Sequence, residues 1–359
     1  TLVIACPHAL GLAIPLVTAR STSLGASRGL LVKDRQALEI AQDADVIILD
    51  KTGTLTTGEF KVLDAKPLND KYTKEEIIAL LAGIEGGSSH PIAQSIIRFA
   101  EQQDIRPASF DSIDVISGAG VEGKAGGHRY QLISQKAYGR NLDMDIPKGA
   151  TLSVLVENDD AIGAVALGDE LKPTSKELIK ALKKNNIQPI MATGDNEKAA
   201  QGAAEVLGIE YRSNQSPQDK YELVETLKDE GKKVIMVGDG VNDAPSLALA
   251  DVGIAIGAGT QVALDSADVI LTQSDPGDIE SFIELAHKTT RKMKQNLFWG
   301  AGYNFIAIPL AAGILAPIGI TLSPALGGIL MSVSTVIVAI NAMLLSLDPK
   351  KITVDRSND

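Results

Sequence analysis

Asp50 is the residue of this chain with the most definite chemistry. It opens Asp50-Lys51-Thr52-Gly53-Thr54 and follows an apolar run, Val46-Ile47-Ile48-Leu49, that reads as a buried parallel strand. A carboxylate at the carboxyl end of such a strand sits where open α/β sheets bind their ligands. An ionised Asp can attack phosphorus and form an aspartyl-phosphate. Three further segments suit the same chemistry. Thr193-Gly194-Asp195-Asn196 follows the Ile190–Ala192 strand, where a hydroxyl and backbone N–H groups can hold a phosphoryl group. Lys220, within Ser216-Pro217-Gln218-Asp219-Lys220, offers a point positive charge to phosphoryl oxygens. Gly238-Asp239-Gly240-Val241-Asn242-Asp243 follows the Val234–Val237 strand, and its two carboxylates four apart suit a hard Mg²⁺ ion. Singly, TGD and GDG are ordinary turn sequences; their order and spacing after DKTGT carry the reading. No GxxxxGK[ST] pattern occurs, so a nucleotide would be bound by other means.

Two more constellations stand apart from these. Glu85 and Ser88-Ser89-His90-Pro91 lie at a predicted helix start, with Gly118-Ala119-Gly120-Val121-Glu122-Gly123 further on. His90 could stack on or hydrogen-bond to an adenine ring, and the glycines would let backbone approach a nucleotide; a His-Pro pair is otherwise a plain helix-start feature. Cys6-Pro7-His8 interrupts an apolar segment, where Pro7 removes a backbone donor and Cys6 and His8 present a thiolate and an imidazole. Such soft ligands suit copper, silver or zinc rather than alkali or alkaline-earth ions. The bland alternative is a kinked structural helix with a buried Cys. Asn296, Tyr303, Asn304 and Met331-Ser332-Val333-Ser334-Thr335 lie in two other apolar runs. The Met thioether is a soft ligand, whereas helix packing explains Ser332, Ser334 and Thr335 equally well.

The elements that must position these residues fall into two kinds. Leu2–Ala19 is apolar except at His8, Thr18 and the Cys6-Pro7 break, and Arg20, Arg28, Lys33 and Arg35 follow it. No charge occurs between Lys294 and Asp348, where Leu297–Ala316 and Pro324–Leu347 each reach the ~20 residues of a bilayer span. Basic residues flank both sides, which predicts a hairpin with both ends in the cytoplasm; an integral, multi-pass protein is expected, with the cell membrane as its expected location. A buried core helix is the competing reading of the first segment. Between the ends, from Ser21 to Lys294, strand and helix patterns alternate as in an α/β fold. Around 61–166 the pattern changes to a helical hairpin (Lys74–Gly83, Pro91–Gln103) and glycine-rich short strands, which predicts a second domain inserted into the first. The net charge of −11 gives no basic face for nucleic acid, and the single Cys excludes an intrachain disulfide. The chain opens at Thr1 inside an apolar segment with no charged n-region, from which an upstream portion is expected.

DKTGTLT at 50–56 resembles the phosphorylation signature of the P-type ATPases, and the later motifs follow in that family's order. The resemblance implies a haloacid-dehalogenase-like Rossmannoid phosphorylation domain with an inserted α+β nucleotide-binding domain and transmembrane helices at both ends. The expected division is 1–20 partial span, 21–60 stalk and first part of the phosphorylation domain, and 61–166 nucleotide-binding domain. Then come 167–290 second part, 291–348 two spans and 349–359 tail. Asp50 resembles the phosphorylated aspartate, Thr52 a backbone-carbonyl ligand to Mg²⁺, Asp239 a direct Mg²⁺ ligand supported by Asn242 and Asp243, and Lys220 and Thr193 the phosphoryl-binding pair. Many phosphatases of this build carry a second Asp at the position of Thr52, so hydrolysis here should be slow. Glu85, five before His90, and the Gly118–Gly123 turn resemble the ATP site of the heavy-metal (CPx-type) branch. Leu132-Ile133-Ser134-Gln135 stands where that branch commonly has Gly-Asn. Cys-Pro-His, Tyr-Asn and Met-Ser-x-Ser-Thr resemble the copper/silver-exporting subgroup, implying Cu⁺, Cu²⁺ or Ag⁺ as cargo and ATP with Mg²⁺ as reactants. A membrane-anchored phosphatase, a zinc/cadmium-transporting ATPase and a metal-binding module with a degenerate regulator are the competing readings. No intramembrane acid supports zinc, and no Thr-Gly-Glu actuator motif occurs, so a transport cycle would need the missing N-terminal portion of the same pump.

Overall fold

The computed structural model describes residues 8–88, 90–116, 119–140, 142, 150–238, 242–257, 261–314, 316–318 and 322–347. The chain opens with α1 (His8–Ala26), β1 (Leu30–Val32), α2 (Gln36–Ala41), β2 (Val46–Asp50) and, after a tight turn, β3 (Thr56–Pro67). Next come α3 (Lys74–Ile84), α4 (Pro91–Gln102), β4 (Ser112–Ile116), β5 (Gly120–Ala125), β6 (His128–Ser134), α5 (Gln135–Tyr138), β7 (Thr151–Glu157) and β8 (Asp160–Leu171). Then follow α6 (Ser175–Lys184), β9 (Gln188–Ala192), α7 (Glu197–Leu207), β10 (Glu210–Arg212), α8 (Pro217–Asp229) and β11 (Val234–Gly238). The last elements are α9 (Ala244–Leu249), β12 (Val252–Ile256), α10 (Gln261–Ser266), β13 (Val269–Leu271), α11 (Gly277–Ala311) and α12 (Pro324–Met343).

Seven strands hydrogen-bond in the order β1-β13-β12-β11-β2-β9-β10, with β11, β12 and β13 parallel, β9 parallel to β10, and β1 antiparallel at one edge. Every residue of β2, β11 and β12 is buried, as strands covered on both faces require. Two compact units partition the chain. One comprises Thr1–Ile48, Glu177–Pro189 and Pro217–Asp359; the other comprises Leu49–Lys176 and Ile190–Ser216.

The second unit contains a six-stranded antiparallel sheet, β3-β8-β7-β6-β5-β4. Its β3–β8 ladder runs from Thr56↔Leu171 to Pro67↔Gly163 with two bulges. Helix α3 starts at a Thr73/Glu76 capping box that satisfies both end N–H groups. With α4 it buries Ile77, Leu81, Ile84 and Ile96 against Leu132, Leu155, Val165 and Leu167 of the sheet, each such side chain contributing about 1.5–3 kcal/mol.

In the first unit α1, α11 and α12 pack together around Ala9, Ala13 and Val338 and around Val17, Met293, Ala342 and Leu345. Ala325–Met343 is long and apolar enough to cross a membrane. The run expected to begin at Leu297 is the distal part of α11, which continues unbroken from Gly277 for 35 residues. That distal part leaves Phe298, Phe305 and Ile306 exposed. Asn296 is fully buried between these helices: its Nδ2 donates to the Ala13 carbonyl at 3.0 Å and its Oδ1 accepts from Asn341 at 2.7 Å.

Candidate functional site

Asp50 ends β2 and is buried, at 8% exposure. The chain then turns sharply through Lys51–Leu55, with Gly53 at φ 75° in the left-handed region that favours glycine. Three side chains from the β8–α6 stretch secure this turn. Asp169 accepts from the Thr56 hydroxyl at 2.5 Å and the Gly58 N–H at 2.9 Å, Lys172 Nζ donates to the Gly53 carbonyl, and Ser175 Oγ donates to the Leu55 carbonyl at 2.6 Å. Thr54 Oγ1 is buried in the turn and has no hydrogen-bond partner among the described residues. A buried hydroxyl left so is costly unless a ligand or water takes it up.

Thr193-Gly194-Asp195-Asn196 forms the connection from β9 to α7. Asn196 caps α7, its side chain accepting from the Ala199 N–H at 3.1 Å. The Thr193 hydroxyl accepts from the Asp195 N–H at 3.1 Å and donates to the Asp195 carboxylate at 3.0 Å. The same carboxylate meets the buried Lys51 ammonium at 2.6 Å. Asp195 is therefore a holder of Thr193 and Lys51. A cleft of about 440 Å³ in this unit is lined by Lys51, Asp169, Lys172 and Lys176 among others. Sequence reasoning selected neither Lys51 nor Asp169, Lys172 and Ser175, because their partners lie more than a hundred residues away in the chain.

In the other unit, Lys220 on α8 is buried and its Nζ donates to Asp243 Oδ1 at 2.7 Å, with side-chain exposures of 7% and 2%. Burying either charge alone would be costly, and facing each other offsets part of that cost. Gly238, the last residue of β11, is required by this arrangement: a Cβ there would lie 2.2 Å from Asp243 Oδ2. Asp239 falls outside the described residues. Asp50 in one unit and Asp243 in the other are each buried carboxylates, and a carboxylate is the kind of hard-oxygen donor that Mg²⁺ takes. Among the described residues no three His, Cys, Asp or Glu side chains cluster tightly enough to hold a metal by themselves.

Glu85 follows directly on α3 as its C-cap and is buried at 8% exposure. Burial pushes its carboxyl above the usual range, and the His90 charge offsets this only in part. His90 is exposed and caps α4, its Nδ1 accepting from the Ile92 N–H at 3.3 Å. A Cβ at Gly120 would lie 2.0 Å from the Leu132 carbonyl of β6, so a side chain there does not fit. Gly118 falls outside the described residues. Ser134, in the segment that departs from the heavy-metal pattern, caps the short helix α5.

Of the candidate ion ligands, Cys6 lies outside the described residues, and the side chains of His8 and Tyr303 are not among those described. Asn304 Oδ1 is buried without a partner among the described residues. Met331 is half-buried, whereas Ser332 is exposed and donates to the Gly328 carbonyl of its own helix at 3.0 Å. Ser334, not Ser332, faces inward, its Oγ donating to the Trp299 carbonyl at 3.4 Å.

A strand-end aspartate on a largely parallel sheet, with a Thr turn and a Lys–Asp pair on later connections, defines a haloacid dehalogenase-like hydrolase. A family profile described as "Hydrolase: haloacid dehalogenase-like hydrolase" matches residues 44–251. A copper-exporting P-type ATPase B from Enterococcus hirae is 54% identical over 352 residues, covering 96% of this chain and 47% of that protein. The chain thus spans about half the length of such relatives. The crystal structure of a zinc-transporting PIB-type ATPase in the E2.Pi state superposes with a TM-score of 0.84 at 32% identity, covering 95% of this chain and 56% of that one. The catalytic domain of the CPx-ATPase CopB-B matches at 33% identity with a TM-score of 0.56, covering 72% of this chain and 96% of that domain. The chain belongs to the CPx-type P-type ATPases, within the haloacid dehalogenase-like hydrolases.

Proposed function

We propose that this chain carries the phosphorylation machinery and part of the ion path of an ATP-driven exporter of copper or silver ions. The observation that carries the reading is Asp50 buried at the end of β2 with Thr52, not a second acid, two residues on. The identity to a copper exporter supports the cargo. ATP docks on a nucleotide-binding domain of about residues 61–166, with Glu85, His90, Gly118 and Gly120 around the adenosine. This domain interrupts a phosphorylation domain formed by 21–60 and 167–290; 1–20 and 291–348 are membrane-spanning, and 349–359 is a cytoplasmic tail.

An Asp50 carboxylate oxygen attacks the γ-phosphorus, the bond to the bridging oxygen breaks, and ADP leaves with that electron pair. Lys220, the Thr193 hydroxyl and the Gly194 N–H neutralise and orient the phosphoryl oxygens. Asp195 keeps Thr193 and Lys51 in register through its two contacts. Asp50, the Thr52 carbonyl, Asp239 and Asp243 would hold Mg²⁺, which when bound would supply further charge neutralisation. Thr52 cannot act as a general base, so the acyl-phosphate is attacked by water slowly and outlives the conformational step that moves the ion. Cys6 and His8 bind the ion in the first span, with Tyr303, Asn304 and Met331 completing the path; Ser332 is the weakest member of the set because it faces outward. The setting is the cell membrane, with several spans, and the partner is the remainder of a polypeptide of the relatives' length. The likeness to the zinc-transporting structure favours a second cargo reading, which the absence of acids between Lys294 and Asp348 opposes.

The test is acid-stable labelling of the chain in lipid vesicles by Mg²⁺ and γ-labelled ATP. Label on the wild type and none on Asp50→Asn supports the reading; no label on either overturns it. Metal dependence is then read with Cu⁺, Cu²⁺, Ag⁺ and Zn²⁺ in a polypeptide of the relatives' full length. Stimulation by Zn²⁺ alone would overturn the cargo assignment while keeping the phosphoenzyme.

A further inference from the structure

We propose that a cleft beside α11, where the helix reaches the membrane, binds the phosphate headgroup of an anionic phospholipid; this rests on the membrane reading of α11 and α12. The cleft measures about 470 Å³. Its polar wall is Gln42, His287, Arg291, Lys294 and Gln295, and its apolar rim is Phe298 and Trp299.

The cations of α11 divide sharply. Lys288 pairs with Glu284 at 2.6 Å, and Lys292 donates to Asn341 Oδ1 at 2.8 Å. Arg291 and Lys294, the two that line the cleft, are exposed and have no hydrogen-bond or ion-pair partner among the described residues. His287 lines the same cleft and is half-buried; its Nε2 is buried and lacks a partner among the described residues. Two exposed cations without partners among the described residues, lining one cleft beside a histidine, suit a phosphodiester. The nearest acid along the chain, Asp43, faces Lys233 at 3.3 Å and the Gln42 amide at 3.2 Å.

Position selects a lipid over a soluble phosphate. Lys294 is the last charge before Asp348, so the polar wall ends where the uncharged stretch begins. One turn further, Phe298 and Trp299 are 70% and 50% exposed and meet edge to face at 5.8 Å. Aromatic side chains at this depth sit at the headgroup level and cover the first acyl carbons. Basic pockets on the cytoplasmic side of spans bind anionic headgroups by the same combination. Gln42 follows α2, the helix that precedes β2, so a bound headgroup would tie α2 to α11.

The full chain is reconstituted into phosphatidylcholine vesicles containing a minor fraction of phosphatidylglycerol, re-extracted in a neutral detergent, and its retained lipid counted. Wild type is expected to hold phosphatidylglycerol in preference to phosphatidylcholine. Arg291→Gln/Lys294→Gln should lower that preference by about tenfold, while Arg20→Gln/Lys288→Gln, which removes equal charge outside the cleft, should leave it. Equal loss in both double variants, or displacement of the lipid by millimolar inorganic phosphate, overturns the proposal. Flotation with pure phosphatidylcholine vesicles separates the two readings. A chain that floats without retaining phosphatidylglycerol sinks the headgroup site alone, and a chain that does not float sinks the membrane reading beneath it.

Discussion

At Asp243 a carboxylate with 2% side-chain exposure faces the Lys220 ammonium at 2.7 Å. Removing the ammonium leaves a buried charge without its main partner, which typically costs about 3–5 kcal/mol. Lys220→Met should therefore lower stability by about 3 kcal/mol, and Lys220→Met/Asp243→Asn should recover part of that loss. Urea unfolding of the four members of the cycle checks this; additive losses would mean that the two side chains do not couple. His90 has two roles that one substitution separates. Asn is as good a helix cap as any residue, so His90→Asn keeps α4 intact while removing the imidazole. Stability should hold within about 0.5 kcal/mol, and ATP affinity should fall about tenfold, the worth of one good contact. Unchanged equilibrium binding of ATP would leave His90 a cap and nothing more.

Glu157, at the end of β7, ties the six-stranded sheet to the segment before α3. It accepts from Lys71 at 2.8 Å, Tyr72 at 2.9 Å and Tyr130 at 3.0 Å. Burial pushes its carboxyl up, but the hydrogen bonds from Lys71, Tyr72 and Tyr130, with the Lys71 charge, outweigh that and hold it below its ordinary value of 4.5. A depressed folded-state value means stabilisation that is present above the ordinary value and lost as pH falls through the folded one. Glu157→Gln should thus be less stable than wild type at neutral pH, with the gap closing as pH falls through the carboxylate range. Parallel thermal unfolding at neutral and acid pH reads this directly, and a gap independent of pH would show that the charge is not what the network uses.

For the molecule as a whole, the proposed docking of ATP has a signature that no single side chain gives. Mg²⁺-ATP should slow proteolysis within Leu49–Lys176, the stretch that holds the helical hairpin and the six-stranded sheet, by several-fold, because a ligand stabilises only the closed form it binds. Protection should be absent with Mg²⁺ alone. Cleavage at equal rates with and without nucleotide would remove ATP binding from this stretch.

Local order of residues was enough to mark Asp50, the turn at Thr193, the glycine-framed Asp243, the α3–α4 hairpin and the apolar run of α12. Each depends on neighbours a few positions away: an apolar run before an acid, a cap before a periodic stretch, twenty uncharged residues in a row. Tertiary structure alone decided what holds those residues. Asp169, Lys172 and Ser175 close on the Asp50 turn from more than a hundred residues further along the chain. Lys51 finds Asp195, and Asn296 joins Ala13 to Asn341. Ser334, not Ser332, faces the neighbouring helix because the rotation of α12 is fixed by its packing, which a serine-rich string does not encode. Hydrogen bonds and ion pairs reach only about 3 Å, so groups far apart in sequence become partners only once strand order and helix rotation have brought them together.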